Sequence, residues 1–171
     1  FKERYFAGDV LSEENFAAAI GAAKAMVDAV ADKFVCFDWQ QCLGASGTPQ
    51  AITEILVAQG ISDAIRLDYL YNLRQQCIDC ATLDNLIIDG LDESRRIIFP
   101  SGLAILIALF ESLSIRDMQI SGGALREGLI YGMLENIQQN DRRMQTIHQH
   151  MRHFHIDSEQ AERVTDVALT L

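Results

Sequence analysis

The sequence predicts an α/β protein in which helices predominate and a small parallel sheet remains. Three observations carry that expectation. Apolar residues recur at helical spacing through most of the chain. Two short apolar segments, 35–43 and 115–120, instead have the length and the glycine-terminated character of buried strands. Each runs through a glycine-rich loop into a helix, the order expected when strands pair in parallel across helical crossovers.

The first helix starts at Ser12, whose hydroxyl is placed to cap it, with Leu11 and Phe16 at the two positions of a hydrophobic staple. Phe16, Ile20, Ala23, Val27, Val30 and Phe34 then mark one apolar face. The first strand, 35–43, carries Phe37, Trp39 and Cys42 and ends at Gly44. A tight loop follows, and Pro49 suits the first turn of the next helix, with Thr48 as its cap. Ile52, Ile55 and Leu56 continue that helix until Gly60 ends it. Residues 62–86 are expected to be helical, with Leu67, Leu70, Leu73 and Cys77 on one face, and 87–90 form a connection. Asp92 opens a further helical region, interrupted near Pro100. Its core segment, 103–110, is apolar on every side, as a helix buried between layers must be. The second strand, 115–120, leads into Ser121-Gly122-Gly123-Ala124 and a helix whose Leu129, Met133 and Leu134 are expected to face inward. Gln138, Gln139, Asn140 and Asp141 mark a boundary, beyond which Met144, Ile147, Met151 and Phe154 keep helical spacing. Asp157 and Gln160 form a capping-box pattern for a last helix carrying Ala161, Val164, Ala168 and Leu171. Two strands alone make a poor sheet, so further strands are expected from a longer chain or from another copy.

Composition narrows the class. The 171 residues are 49 % hydrophobic and 22 % charged, with two prolines and no low-complexity tract, the balance of a globular protein with a real core. The net charge of −10 disfavours a nucleic-acid binder, which needs a basic face. It also repels anionic substrates at long range, so a phosphate site here must act locally, through backbone N–H groups, a few arginines or a metal ion. No apolar run is long enough to cross a bilayer, and no membrane partner is expected. The chain opens on Phe1 and closes on Leu171 inside a periodic pattern, and both ends read as internal to a longer protein.

Chemistry is expected at the two glycine loops. Open α/β sheets place ligands at the carboxyl ends of parallel strands. In the first loop Gly44 and Gly47 allow close backbone approach, and Ser46 and Thr48 add hydroxyls. In the second, Gly122 and Gly123 do the same, with Arg126 able to fork onto a phosphate and Glu127 beside it. Each following helix offers unpaired N–H groups at its start. A glycine loop also arises wherever a strand must simply turn into a helix, and Arg126 and Glu127 also suit an ordinary helix start.

Three blocks carry a resemblance: residues 39–48 (Trp39-Gln40-Gln41-Cys42-Leu43-Gly44-Ala45-Ser46-Gly47-Thr48), 99–106 (beginning Phe99-Pro100-Ser101-Gly102) and 121–134 (beginning Ser121-Gly122-Gly123-Ala124-Leu125-Arg126-Glu127-Gly128). With His155-Ile156-Asp157-Ser158-Glu159-Gln160-Ala161 they resemble the exopolyphosphatase / guanosine pentaphosphate phosphohydrolase family over nearly the whole chain, closer to the second branch. The resemblance implies two ribonuclease H-like, actin-like domains flanking a cleft, often with C-terminal helical domains related to metal-dependent phosphohydrolases. It implies a cytoplasmic hydrolase that uses Mg²⁺ to remove the terminal phosphate of guanosine pentaphosphate or of inorganic polyphosphate. Residues 1–139 then correspond to the second half of the second actin-like domain and 140–171 to the start of the helical region. The family's acidic glycine loops and catalytic glutamate precede the segment matched here. No catalytic residue and no metal ligand is therefore expected within this chain, which alone should be inactive. The alternative is a non-catalytic module that binds a guanine nucleotide alarmone. Exposed sheet edge and apolar helix faces predict a homodimer or higher species.

Two other groupings are weighed. Cys77-Ile78-Asp79-Cys80 has a zinc-like spacing but lies in a leucine-periodic helix, and Cys36 and Cys42 are the other thiols; all four are read as free. His148, His150, His153 and His155 spread around a helix without a metalloprotease pattern and are read as solvated. Asp89, Asp92, Glu93, Arg95 and Arg96 read as a charged turn and helix start, from which Arg95 or Arg96 could reach a substrate if the cleft extends that far.

Overall fold

The computed structural model describes residues 1–37, 39–123, 125–137, 147, 150–153 and 156–170. These form two compact units, Phe1–Gly122 and Gly123–Leu171.

The first unit opens with a single helical turn, α1 (Lys2–Tyr5), and a 3₁₀ turn at Ala7–Asp9. The long helix α2 (Glu13–Val35) follows. Its start is the one its sequence specifies: Ser12 is extended, its hydroxyl accepts from Asn15 N–H at 3.1 Å, and Leu11 and Phe16 are both buried. Phe16 also packs edge-on against Phe6, with ring centroids 5.0 Å apart. The face set by Phe16, Ile20 and Ala23 is buried, but Val30 and Phe34 farther along are exposed. The helix therefore outruns the core that its first half covers.

β1 (Leu43–Gly44) is far shorter than the strand expected over 35–43. Val35 is the last residue of α2, and Phe37 is 67 % exposed. Apolar residues at spacing two look the same in sequence whether a sheet buries them or not. β2 (Gln119–Ile120) is likewise shorter than the expected 115–120, because Met118 pairs antiparallel with Ile65 in an isolated bridge instead. The pairing of β1 with β2 is parallel as expected, with Leu43 opposite Gln119 and Gly44 opposite Ile120.

Three helices complete the first unit. α3 (Gly47–Ala58) buries Ile52, Ile55 and Leu56. α4 (Leu67–Cys80) buries Leu70, Leu73 and Cys77. It is shorter than the helix expected over 62–86, since Ile65 is held in the bridge to Met118 and Ala81, at φ 62°, ends the last turn. α5 (Phe99–Ser112) buries nine of its residues, Leu103, Ile107 and Phe110 among them. It packs along α2 on one side and contacts α4 and α3 on others, which explains why no polar stripe was legible in it. Pro100 sits in its first turn, where a missing N–H costs nothing, and does not interrupt it. Tyr71 of α4 donates to Glu111 of α5 at 2.6 Å, and Lys24 of α2 lies 3.6 Å from the other oxygen of Glu111, so one carboxylate ties three helices.

The second unit contains α6 (Leu125–Ile137), helical residues 150–153, and α7 (Ser158–Thr170). The Asp157 carboxylate accepts from Gln160 N–H at 3.2 Å, the cap that the sequence pattern specifies. Leu129 and Met133 of α6, expected to face inward, are exposed. The boundary expected at 138–141, together with Met144, His148, Phe154 and His155, lies outside the described residues. No helix among the described residues is long and apolar enough to cross a membrane.

Candidate functional site

Parallel pairing brings the starts of the two glycine loops side by side. Both strands end at the same edge, and Ser121 N–H donates to the Gly44 carbonyl at 2.9 Å. Gly44 is buried, and only a residue without a side chain fits there. A Cβ at this position would lie 2.7 Å from Pro49 Cβ and 2.9 Å from Met118 Sδ. The chain therefore turns from β1 into α3 directly under Pro49.

The start of α3 differs from the expected Thr48 cap. Ser46 is the N-cap, with extended backbone at φ −110° and ψ 169°, and its hydroxyl makes no capping bond. Thr48 lies one residue inside the helix. The N–H groups of Gly47 and Thr48 belong to the first turn and have no intrahelical acceptor. Pro49 has no N–H to satisfy. A helix start with an unengaged cap hydroxyl, exposed at Ser46 and Gly47, presents donors and the positive end of the helix dipole to any anion.

The structure adds a guanidinium to this loop. Arg95, from the 3₁₀ turn Glu93–Arg95, donates through Nη1 to the Gly47 carbonyl. A Cβ at Gly47 would meet that nitrogen at 2.9 Å, so the glycine gives Arg95 its place. Two features carry Arg95 across. Asp92 caps the 3₁₀ turn, accepting from Ser94 N–H at 2.8 Å. The Ser94 hydroxyl and N–H, with Arg95 as a smaller influence, hold the Asp92 carboxyl below its ordinary range. Gly90, at φ 86°, lets the connection press onto the back of α3, where a Cβ would lie 2.7 Å from Ala58 Cβ. Arg96 is committed elsewhere, to the Glu93 carboxylate at 3.8 Å and the Asp84 carbonyl at 3.5 Å. The sequence names the pair Arg95 and Arg96 but cannot choose between them, because Gly47 and Arg95 are 48 residues apart and no local pattern links them.

Of the expected phosphate-binding residues, Gly44, Ser46, Gly47, Thr48 and Gly122 lie in the first unit. Gly122 is exposed and open, with no atom within 4 Å of a Cβ built on it. Gly123, Arg126 and Glu127 belong to the second unit. There Glu127 sits in the first turn of α6 and a Cβ on Gly123 would be 3.5 Å from its Cβ. The Arg126 side chain lies outside the described residues.

A groove of about 450 Å³ adjoins the loop, lined by Leu43, Ala45, Pro49, Ile105, Leu109 and Met118 with others. It is mainly apolar and runs along the β1 side of α5. The cysteines are free thiols, with Cys36 exposed and Cys77 buried. Burial drives the Cys77 thiol pKa strongly upward, which keeps it neutral and unreactive. Among the described residues no three His, Cys, Asp or Glu side chains group to hold a cation. The donors at the 44–48 loop, N–H groups and a guanidinium, suit an anion and not magnesium.

A model of the Ppx/GppA phosphatase family matches residues 1–137. Over all 171 residues the chain is 96 % identical to a guanosine-5'-triphosphate,3'-diphosphate pyrophosphatase of Pseudoalteromonas atlantica (strain T6c / ATCC BAA-1087), and it spans 34 % of that relative's length. The family match runs unbroken from Phe1 through β1, β2 and both glycine loops to the end of α6, and on that ground this chain belongs to the Ppx/GppA phosphatase family.

Proposed function

We propose that this chain forms one wall of the cleft of a longer phosphoanhydride hydrolase, which removes the terminal phosphate of guanosine pentaphosphate, to give guanosine tetraphosphate, and/or that of inorganic polyphosphate. The observation that carries the reading is the start of α3. There an uncapped helix N-terminus, the exposed Ser46 and the Arg95 guanidinium meet at one glycine loop. Such a constellation binds and orients phosphoryl oxygens, most of what catalysis of phosphoryl transfer requires from a protein wall. The name of the 96 % identical relative supports the choice of nucleotide. In this reading Ser46, Gly47, Thr48 and Arg95 contact substrate and Gly44 lets the chain turn beneath them, while Gly122, Gly123, Arg126 and Glu127 of the second loop are proposed as phosphate-binding residues in their own right.

The general base and the ligands of Mg²⁺ are assigned to parts of the longer protein outside this chain. The finer fold reading goes with this: β1 and β2 are the last strands of an actin-like, ribonuclease H-like domain, residues 1–139, and 140–171 begin a helical region. Leu43 is exposed on the free edge of β1 beside the apolar groove, and a two-stranded sheet is not stable by itself. Further strands of the same domain would cover both. The enzyme is proposed to be cytoplasmic and to self-associate. Phe34, Phe37 and Trp39, exposed together at the end of α2 and just beyond it, support the latter.

Orthophosphate release from guanosine pentaphosphate and from polyphosphate, with Mg²⁺, tests the proposal. The full-length protein should turn over one or both, and the 171-residue chain neither. Tight binding of guanosine tetraphosphate by the full-length protein without any release would replace the enzyme with an alarmone-binding module.

A further inference from the structure

Gly102 has no conformational reason to be glycine. It lies within the first turns of α5, its φ is not in the left-handed region, and glycine in a helix costs stability relative to alanine. Its reason is proximity. A Cβ at position 102 would lie 2.6 Å from Thr48 Oγ1, 2.8 Å from Thr48 Cγ2 and 3.3 Å from Thr48 Cβ. Both branches of one β-branched side chain are met at once. Threonine occupies two of its three staggered positions with heavy atoms, so every rotamer keeps an atom on at least one of the two contact points. Side-chain rotation cannot relieve the overlap, and the first turn of α3 has to move relative to α5. That turn holds the Gly47 and Thr48 N–H groups and the carbonyl that Arg95 grips.

We infer that Gly102 is a positioning residue for phosphate. By bringing the start of α5 against Thr48 it fixes the α3 N-terminus at the distance from Arg95 at which both can engage one phosphoryl group. The inference rests on the phosphate reading of the 44–48 loop. It extends that reading to a residue with no polar side chain of its own, which touches no ligand and acts only through Thr48.

The test uses the full-length enzyme and guanosine pentaphosphate with Mg²⁺, reading kcat, KM and thermal unfolding for wild type, Gly102→Ala, Thr48→Ala and the double variant. Gly102→Ala should raise KM about tenfold or more in folded protein, since displacements near 1 Å at a binding group have effects of that order. Thr48→Ala removes both clashing atoms and leaves a 3.3 Å approach that a few tenths of an ångström relieve. The double variant should therefore return to the KM of Thr48→Ala alone. A purely structural glycine would lower the unfolding temperature and leave KM at the wild-type value, and that result overturns the inference. A double variant with KM no lower than Gly102→Ala overturns it too. If Gly102→Ala does not fold, the double variant decides: a KM equal to that of Thr48→Ala supports the assignment, and a raised KM or failure to fold refutes it. Absence of turnover in the wild type itself would instead overturn the hydrolase reading on which the assignment rests, and the assignment with it.

Discussion

Arg95 is the residue on which the site turns. Its guanidinium donates to the Gly47 carbonyl at the start of α3, the helix end proposed to bind phosphate. On the proposed function, replacing it by alanine in the full-length protein should raise KM for guanosine pentaphosphate by about ten- to a hundredfold, the range for one hydrogen bond to a charged group. Arg95→Lys should recover only part of that loss, because an ammonium lacks the planar fork. Steady-state kinetics on the three proteins checks both statements. Single residues also show where sequence reasoning reaches. Ser12, Leu11 and Phe16 are legible because a cap and its staple are local, spanning six positions. Thr48 was misplaced by a subtler choice. Ser46 and Thr48 both precede the apolar run of α3, and only the extended backbone at Ser46 decides which one caps. Arg95 was visible as a charge but not as a partner, since its contact crosses 48 residues.

At the scale of elements, α5 carries the most weight. It touches α2, α3 and α4, and Leu103 near its start is fully buried. Leu103→Ala should cost about 2–5 kcal/mol of folding free energy, as buried leucine truncations do, measured by denaturant unfolding. Because α5 also carries Gly102 against the α3 start, the same variant should weaken phosphate binding in protein that remains folded. Helices α2 to α5 were legible in type, their periodicity being long, but the helix expected over 62–86 is only Leu67–Cys80. The strands were legible only in existence and in parallel sense. Two residues of pairing leave no period to read, and the run through Phe37 and Trp39 reads as a buried strand although Phe37 is exposed. α6 presents the opposite case. Its Leu129 and Met133 have the spacing of a core face, but they are exposed within their unit.

For the whole molecule, an acidic chain with a net charge of −10 is proposed to bind a polyanion. Local donors at one helix start act over a few ångströms, where long-range repulsion is screened by salt. The chain spans 34 % of the relative it matches at 96 % identity, and the proposed role is that of one cleft wall. Composition pointed only to a globular chain with a real core, and hydrophobic periodicity to an α/β one. The glycine loops pointed to phosphate, and the three blocks quoted from the sequence pointed to the family that the comparison then showed. The most direct measurement follows from that division. Inorganic pyrophosphate titrated into the isotopically labelled 171-residue chain should shift the amide resonances of Ser46, Gly47 and Thr48 and the guanidinium resonance of Arg95, saturably and with loss of effect in Arg95→Ala. Saturable shifts clustered elsewhere, or no shift at the α3 start at any pyrophosphate concentration that leaves the chain folded, would contradict the account.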